Sequence, residues 1–244
     1  MADLTHIDTV LFDLDGTLLN VDMYQFVPRY LKSLADCLPQ PVVADYFAER
    51  MIRRTMDRLR GSDGAQTNEE YFCAVAQEDF GLSAADFLAG LACFYQRHMT
   101  DLRPLIQPLA LAPRLLERCA RRGLDVVIAT NPVFSRPLVE ARLQWGGIGD
   151  FPYRWVTSFE NSRYCKPAAG YFFDILSEID KRPDQCLMVG NDTLHDLAAA
   201  ELGMTTFLVD TWLIERESPF RADFRGSHLD LFRFLGQQDF SSEV

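Results

Sequence analysis

The chain has 244 residues, 48% of them hydrophobic, and carries 24 Lys and Arg against 35 Asp and Glu for a formal net charge of −11. That is room for one large domain or two smaller ones, with the hydrophobic content of a packed globular protein. The acidic balance speaks against nucleic-acid binding, which draws on a basic stripe to displace counterions.

No apolar run is long enough to span a bilayer. Residues 1–8 lack the basic start and apolar core of a secretory signal, so a cytoplasmic protein is expected. The first strand is predicted over 9–13, where Val10-Leu11-Phe12 run into Asp13-Leu14-Asp15-Gly16-Thr17. Residues two apart on a strand share a side, so Asp13 and Asp15 can face one reacting group. Carboxylates at the end of a buried strand are expensive unless paired or metal-bound, so positive charge must come from elsewhere in the chain.

From about Asn20 to Arg103 only helical patterns occur and no strand is predicted. Thr67-x-x-Glu70 and Ser83-x-x-Asp86 are candidate capping boxes, and Gly61-Ser62-Asp63-Gly64 a connection between helices. Arg50, Arg54 and Arg58 recur every four residues and share a helix face with Arg53 and Arg60 close by. They are expected to form a solvated face paired with Glu49 and Asp57, with Met51, Ile52, Met56 and Leu59 packing beneath. A substrate contact from one of the arginines is the alternative.

Beyond this stretch, strands and helices alternate. Strands are predicted over 125–130, 153–157, 186–190 and 205–209, and helices over 108–122, 135–145, 168–179 and 194–202. Gly123 follows the basic end of the first of these helices as a stop signal. Residues 221–226 are expected to form a short edge segment, 228–235 a closing helix, and 237–244 a frayed end. Near-continuous apolar strands alternating with helices predict an α/β fold with a Rossmann-like doubly wound parallel sheet. The sheet domain is then discontinuous, 1–19 and 104–244, with a helical domain inserted over 20–103. The six cysteines form no C-x-x-C pair and are expected to be reduced thiols, and the four histidines are too dispersed for a zinc site.

Ligands bind beyond the carboxyl ends of the strands in such sheets. Those ends carry Asp13-Leu14-Asp15, then Thr130-Asn131-Pro132, then Asn191-Asp192 with Asp196 four residues on; Lys166-Pro167 lies between the third and fourth strands. Each has a plainer reading: turn chemistry at Asp13–Thr17, a helix cap at Thr130-Asn131, a surface lysine at 166, a helix-start acid at Asp196, and a solvated His195.

Together, in this order, these four segments resemble the haloacid dehalogenase-like (HAD) superfamily, whose motifs are a hydrophobic strand into D-x-D-G-T, a strand ending in Thr or Ser, a Lys-Pro, and an acidic pair after a strand. The resemblance covers nearly the whole sheet domain and is similar to its phosphoglycolate phosphatase branch. It implies a phosphatase acting on a small phosphomonoester through a phosphoaspartate. Asp13 would be the nucleophile and Asp15 the acid/base. Thr130, Asn131 and Lys166 would hold the phosphoryl group. Mg²⁺ would bind Asp13, Asp192 and the Asp15 carbonyl, an oxygen-only set that suits this ion. Asp196 would orient Lys166 or a metal-bound water. The insert falls where this family carries a type-1 helical cap, with hinges expected near 19–22 and 102–104. A haloacid dehalogenase is an alternative that needs neither Asp15 nor a metal. A phosphosugar mutase of the β-phosphoglucomutase type would need a cap acid/base, and a non-catalytic binding protein would not need Asp13, Asp15 and Lys166. A monomer or homodimer is expected, with no membrane or nucleic-acid partner.

Overall fold

The computed structural model describes residues 6–237, so the fraying expected from residue 238 onward lies outside the described residues. In chain order, β1 (Thr9–Phe12) and β2 (Leu19–Val21) precede four helices, α1 (Met23–Ala35), α2 (Ala44–Arg60), α3 (Asn68–Phe80) and α4 (Ala84–Arg97). A 3₁₀ segment, Met99–Leu105, leads to β3 (Ile106–Pro108), α5 (Ala112–Arg121), β4 (Asp125–Ile128), α6 (Arg136–Trp145) and β5 (Trp155–Val156). Then come α7 (Ala169–Ile179), β6 (Cys186–Gly190), a 3₁₀ segment at Leu197–Leu202, β7 (Thr205–Val209), β8 (Phe224–Gly226) and α8 (His228–Gln237).

Six strands form one sheet in the order β5-β4-β1-β6-β7-β8, and every pairing is parallel. The expected doubly wound α/β fold is therefore the observed one. The alternation of β1 sets its two layers. Val10 and Phe12 join the core shared with α1, α5 and α6, while Leu11 joins the opposite core under α7 with Val127 and Met188. The chain leaves β1 toward β4 on one side and leaves β6 toward β7 on the other. The carboxyl ends of β1 and β6 thus flank the point where the winding reverses, the place such sheets bind ligands.

Both predicted capping boxes form. Thr67 and Glu70 close the start of α3, and Ser83 and Asp86 that of α4, each pair satisfying two otherwise unpaired N–H groups. The helical segment shares its core with the sheet: the Phe26 and Tyr30 rings of α1 meet Phe134, beyond β4, edge-on at 5.8 and 5.7 Å.

Several expectations need correction. A strand does occur at the start of the 20–103 stretch: β2 pairs antiparallel with β3, which follows the 3₁₀ segment containing 102–104. Three residues are too few to show a period-2 pattern. The same strand moves the start of the first predicted α/β helix from 108 to Ala112, and the helix expected over 194–202 is a 3₁₀ segment from Leu197. The arginine face is not simply solvated: Arg50 and Arg54 pair with Asp79 of α3, and Arg58 is buried, while Arg53 and Arg60 hold Glu49 and Asp57. Of the four expected packing residues on α2, Met56 is exposed.

All six cysteines are free; Cys73, Cys119, Cys165 and Cys186 are buried, and the Cys37 and Cys93 sulfurs meet at 2.8 Å. Among the described residues no helix is long and apolar enough to cross a membrane.

Candidate active site

The parallel register brings the chemistry-bearing residues to one edge of the sheet. Phe12 pairs with Ile128 on one side and Val189 on the other, and the Asp13 N–H continues the ladder to the Val189 carbonyl at 2.8 Å. Past Asp13 the backbone folds sharply: the Leu18 and Leu19 N–H groups both donate to the Leu14 carbonyl at 2.9 Å. Gly16 makes that fold possible. It sits at φ +83°, and a Cβ there would lie 2.1 Å from Asn191 Nδ2, so only glycine fits.

Lys166 is the centre of the site. It is 2% exposed, and its Nζ donates to Asp13 Oδ1 at 2.7 Å and to Asp196 Oδ1 at 2.6 Å. Asp196 spends its other oxygen on the backbone N–H groups of Asn191 and Asp192, both at 2.9 Å. Gly190 makes room for this carboxylate, whose Cγ would lie 2.2 Å from a Cβ at that position. Among the described residues Asp13 Oδ2 has only a long contact, 3.5 Å, from the Thr17 hydroxyl.

Thr130 and Asn131 follow β4 into the same cleft. Thr130 is buried, and its carbonyl accepts from Thr157 Oγ1 at 2.7 Å and from the Tyr171 hydroxyl at 2.8 Å. Asn131 Oδ1 accepts from the Lys166 backbone N–H at 2.9 Å, tying the second segment to the third. The helix after Lys166-Pro167 begins at Ala169, one residue beyond its expected start at 168.

Asp192 accepts two N–H bonds, from Leu194 and His195 at 3.0 Å, and a 2.6 Å bond from Arg216 Nε. Arg216 was not singled out from the sequence, since a lone arginine in a polar loop has no local signature. His195 is more enclosed than a solvated residue, with its Nδ1 3.4 Å from Asp192 Oδ2. Asp15 faces another residue invisible to motif reading. Arg142 of α6, fully buried, places Nη2 against Asp15 Oδ1. Among the described residues the structure therefore gathers Asp13, Lys166 and Asp196 into one network, sets Thr130, Asn131 and Asp192 at its rim, and turns Asp15 toward Arg142.

The electrostatics follow from burial. Burial, with the Asp196 and Asp15 charges, pushes the Asp13 carboxyl up to about 7 even though Lys166 opposes it. Burial pulls the Lys166 ammonium down, but Asp13 and Asp196 outweigh it and hold its pKa above the ordinary lysine value. For Asp192 burial acts upward, and the His195 N–H and Arg216 overcome it, keeping the carboxyl below its usual range. The site thus holds more carboxylate than its lysine neutralises. No group of three or more His, Cys, Asp or Glu side chains forms a metal cage among the described residues. An ion that uses one or two carboxylates and completes its shell with water or phosphate fits such a donor set.

The family model of the haloacid dehalogenase-like hydrolases matches residues 7–203. The chain is 28% identical to a ribulose-1,5-bisphosphate 5-phosphatase from Halopiger xanaduensis over 211 residues, covering 82% of this chain and 84% of that protein. The fold is similar to the crystal structure of a predicted phosphoglycolate phosphatase from Haemophilus somnus, with a TM-score of 0.58, 19% identity, and 94% and 98% of the two chains covered. It is likewise similar to an L-2-haloacid dehalogenase from Xanthobacter autotrophicus, with a TM-score of 0.55, 16% identity, and 95% and 99% covered. With four-fifths of its length under one family model and the motif residues of that family at the strand ends, the chain belongs to the haloacid dehalogenase-like hydrolases.

Proposed function

We propose that this hydrolase is a Mg²⁺-dependent phosphatase that cleaves a small phosphomonoester through a phosphoaspartate. The observation that carries the reading is the pair of carboxylates at the end of β1, one of them bonded to a buried lysine. Asp13 Oδ2, the less engaged oxygen, attacks phosphorus and forms the new P–O bond as the ester oxygen departs. Asp15 gives that oxygen its proton, then takes one from the water that cleaves the phosphoaspartate, releasing phosphate and restoring Asp13. Lys166, Thr130 and the Asn131 amide N–H groups hold the phosphoryl oxygens as charge develops. Asp196, with both oxygens engaged by protein, orients Lys166.

Asp13, Asp192 and the Asp15 carbonyl would hold Mg²⁺, with Arg216 giving up Asp192. The ion supplies the positive charge that lets several carboxylates and a phosphate share one site. Residues 20–103 serve as the lid over 1–19 and 104–244, hinged at the β2–β3 pair. A lid that excludes water suits a small substrate; the phosphatase relative named for a sugar bisphosphate supports that class. Asp15 and Asp192 weigh against a dehalogenase, whose halide leaves without a proton. Free cysteines suit a cytoplasmic setting, with the enzyme a monomer or homodimer.

The test is phosphate release from an aryl phosphate and a phosphometabolite panel, with Mg²⁺ and after chelation. Turnover that needs Mg²⁺ and disappears in Asp13→Asn is expected. Purified protein inactive on the whole panel overturns the phosphatase reading, and wild-type turnover by Asp13→Asn overturns the nucleophile assignment.

A further inference from the structure

Arg142 is buried in a way that its neighbours do not explain. Its guanidinium is wholly enclosed, and Nη2 contacts Asp15, yet Nε and Nη1 have no hydrogen-bond partner among the described residues. Two rings lie beside it, Phe26 of α1 and Phe134, whose centroids are 5.4 and 5.1 Å from Cζ. Rings attract a cation through their faces but offer no acceptor in the plane of the guanidinium. A buried charge with idle donors is destabilising, and an apolar side chain of similar volume would fill the same space at less cost. The arrangement is therefore incomplete without a further acceptor.

Its position says what that acceptor belongs to. In the proposed reaction Asp15 protonates the departing oxygen, so the leaving group lies within hydrogen-bond reach of Asp15 and beside Arg142. An arginine in a water-poor, aromatic-walled setting is suited to take a planar or tetrahedral anion through two parallel N–H bonds. In its absence, Arg142 occupies Asp15 Oδ1, on the carboxylate that must carry the proton.

We propose that Arg142 is a specificity-determining residue that binds a second anionic group, a carboxylate or a phosphoryl, carried by the leaving group of the substrate. The inference rests on the phosphatase reading for the placement of the leaving group. The incoming anion takes the N–H groups of Arg142, and Asp15 is released to act on the ester oxygen. Substrates whose leaving group is neutral do not make this exchange and are handled less well.

The experiment is calorimetric titration of the intact protein with Mg²⁺ and three non-hydrolysable probes: methylphosphonate, with one anionic group; phosphonoacetate, with an added carboxylate; and methylenebisphosphonate, with an added phosphonate. Wild type is expected to bind at least one of the two doubly anionic probes 10-fold or more tightly than methylphosphonate, and which one identifies the second group. Arg142→Met should erase that preference, read as the ratio of doubly to singly anionic probe affinities. Arg142→Lys, which keeps the charge but loses the fork, should retain part of it and covers the case in which the methionine variant does not fold. Equal affinity for all three probes in wild type, no binding of any of them, or an equal loss for all three in both variants overturns the proposal. A preference seen in a protein with no phosphatase activity leaves the anion site standing and sinks only the reaction.

Discussion

Gly16 and Lys166 show how little freedom single positions have in this site. A methyl group at Gly16 would meet the Asn191 side chain and would have to adopt φ +83°. Gly16→Ala is expected to cost about 1–3 kcal/mol from backbone strain alone, read from the shift in urea unfolding midpoint. Lys166 is the sole cation bonded to Asp13 and Asp196 among the described residues. Lys166→Met leaves two buried carboxylates facing each other, and the loss should reach about 3–5 kcal/mol, the range for removing one partner of a buried pair. Phosphate release by the same variant should fall with it, and melting curves with and without Mg²⁺ separate the two effects. Arg142 and Arg216 act at the same scale but carry no sequence signal, because each meets its aspartate only through the fold: Arg142 lies 127 positions from Asp15.

At the scale of elements, the helical segment is fastened to the loops after β4 and β5 through the start of α3. Asn68 is fully buried; its Oδ1 accepts from Arg58 Nε at 2.6 Å, and its Nδ2 donates to the Pro132 carbonyl at 3.0 Å. The Asn68 and Glu69 N–H groups donate across to the Ser162 and Phe159 carbonyls, at 2.9 and 2.8 Å. Asn68→Ala strands Arg58 Nε and the Pro132 carbonyl together and should cost about 1–3 kcal/mol, measured by thermal melting, with Asn68→Asp as the shape-matched control. The sheet strands at 186–190 and 205–209, both capping boxes and the strand-end residues were legible in the sequence, because burial on both faces and capping leave local patterns. The β2–β3 pair was not, since its strands are three residues long and 87 positions separate the bonded Asn20 and Gln107. Arg58 misled for a related reason: helical spacing groups it with its neighbours on α2, and only the α3 contact shows that it is buried. The 3₁₀ segment at Leu197–Leu202 has the composition of a helix, and its tighter winding follows from no residue in it.

At the scale of the molecule, two enclosed histidines couple stability to pH. His228 in α8 donates from Nε2 to the Thr17 carbonyl at 2.8 Å, while Nδ1 has no partner among the described residues. Burial holds its pKa below the ordinary histidine value, and does the same to His195 despite Asp192. At these two positions the unfolded chain therefore binds more protons than the native one below about pH 6.5, a contribution to stability that falls as pH drops and is opposite in sign to that of Asp13, whose raised pKa gives the native chain the extra proton. Between pH 7.5 and 5.5 the urea midpoint of His228→Gln relative to wild type should rise, because the variant lacks the contribution that wild type loses at His228. The winding of the sheet has a further consequence, in time. β1 is made first yet sits between β4 and β6, and Asp13 is separated from Lys166 by 153 positions. Contacts of such long sequence separation close late and slowly. During synthesis Asp13 remains an ordinary hydrated carboxylate until the chain through β6 has emerged, so a residue made at the outset meets Lys166 and Asp196 only near the end.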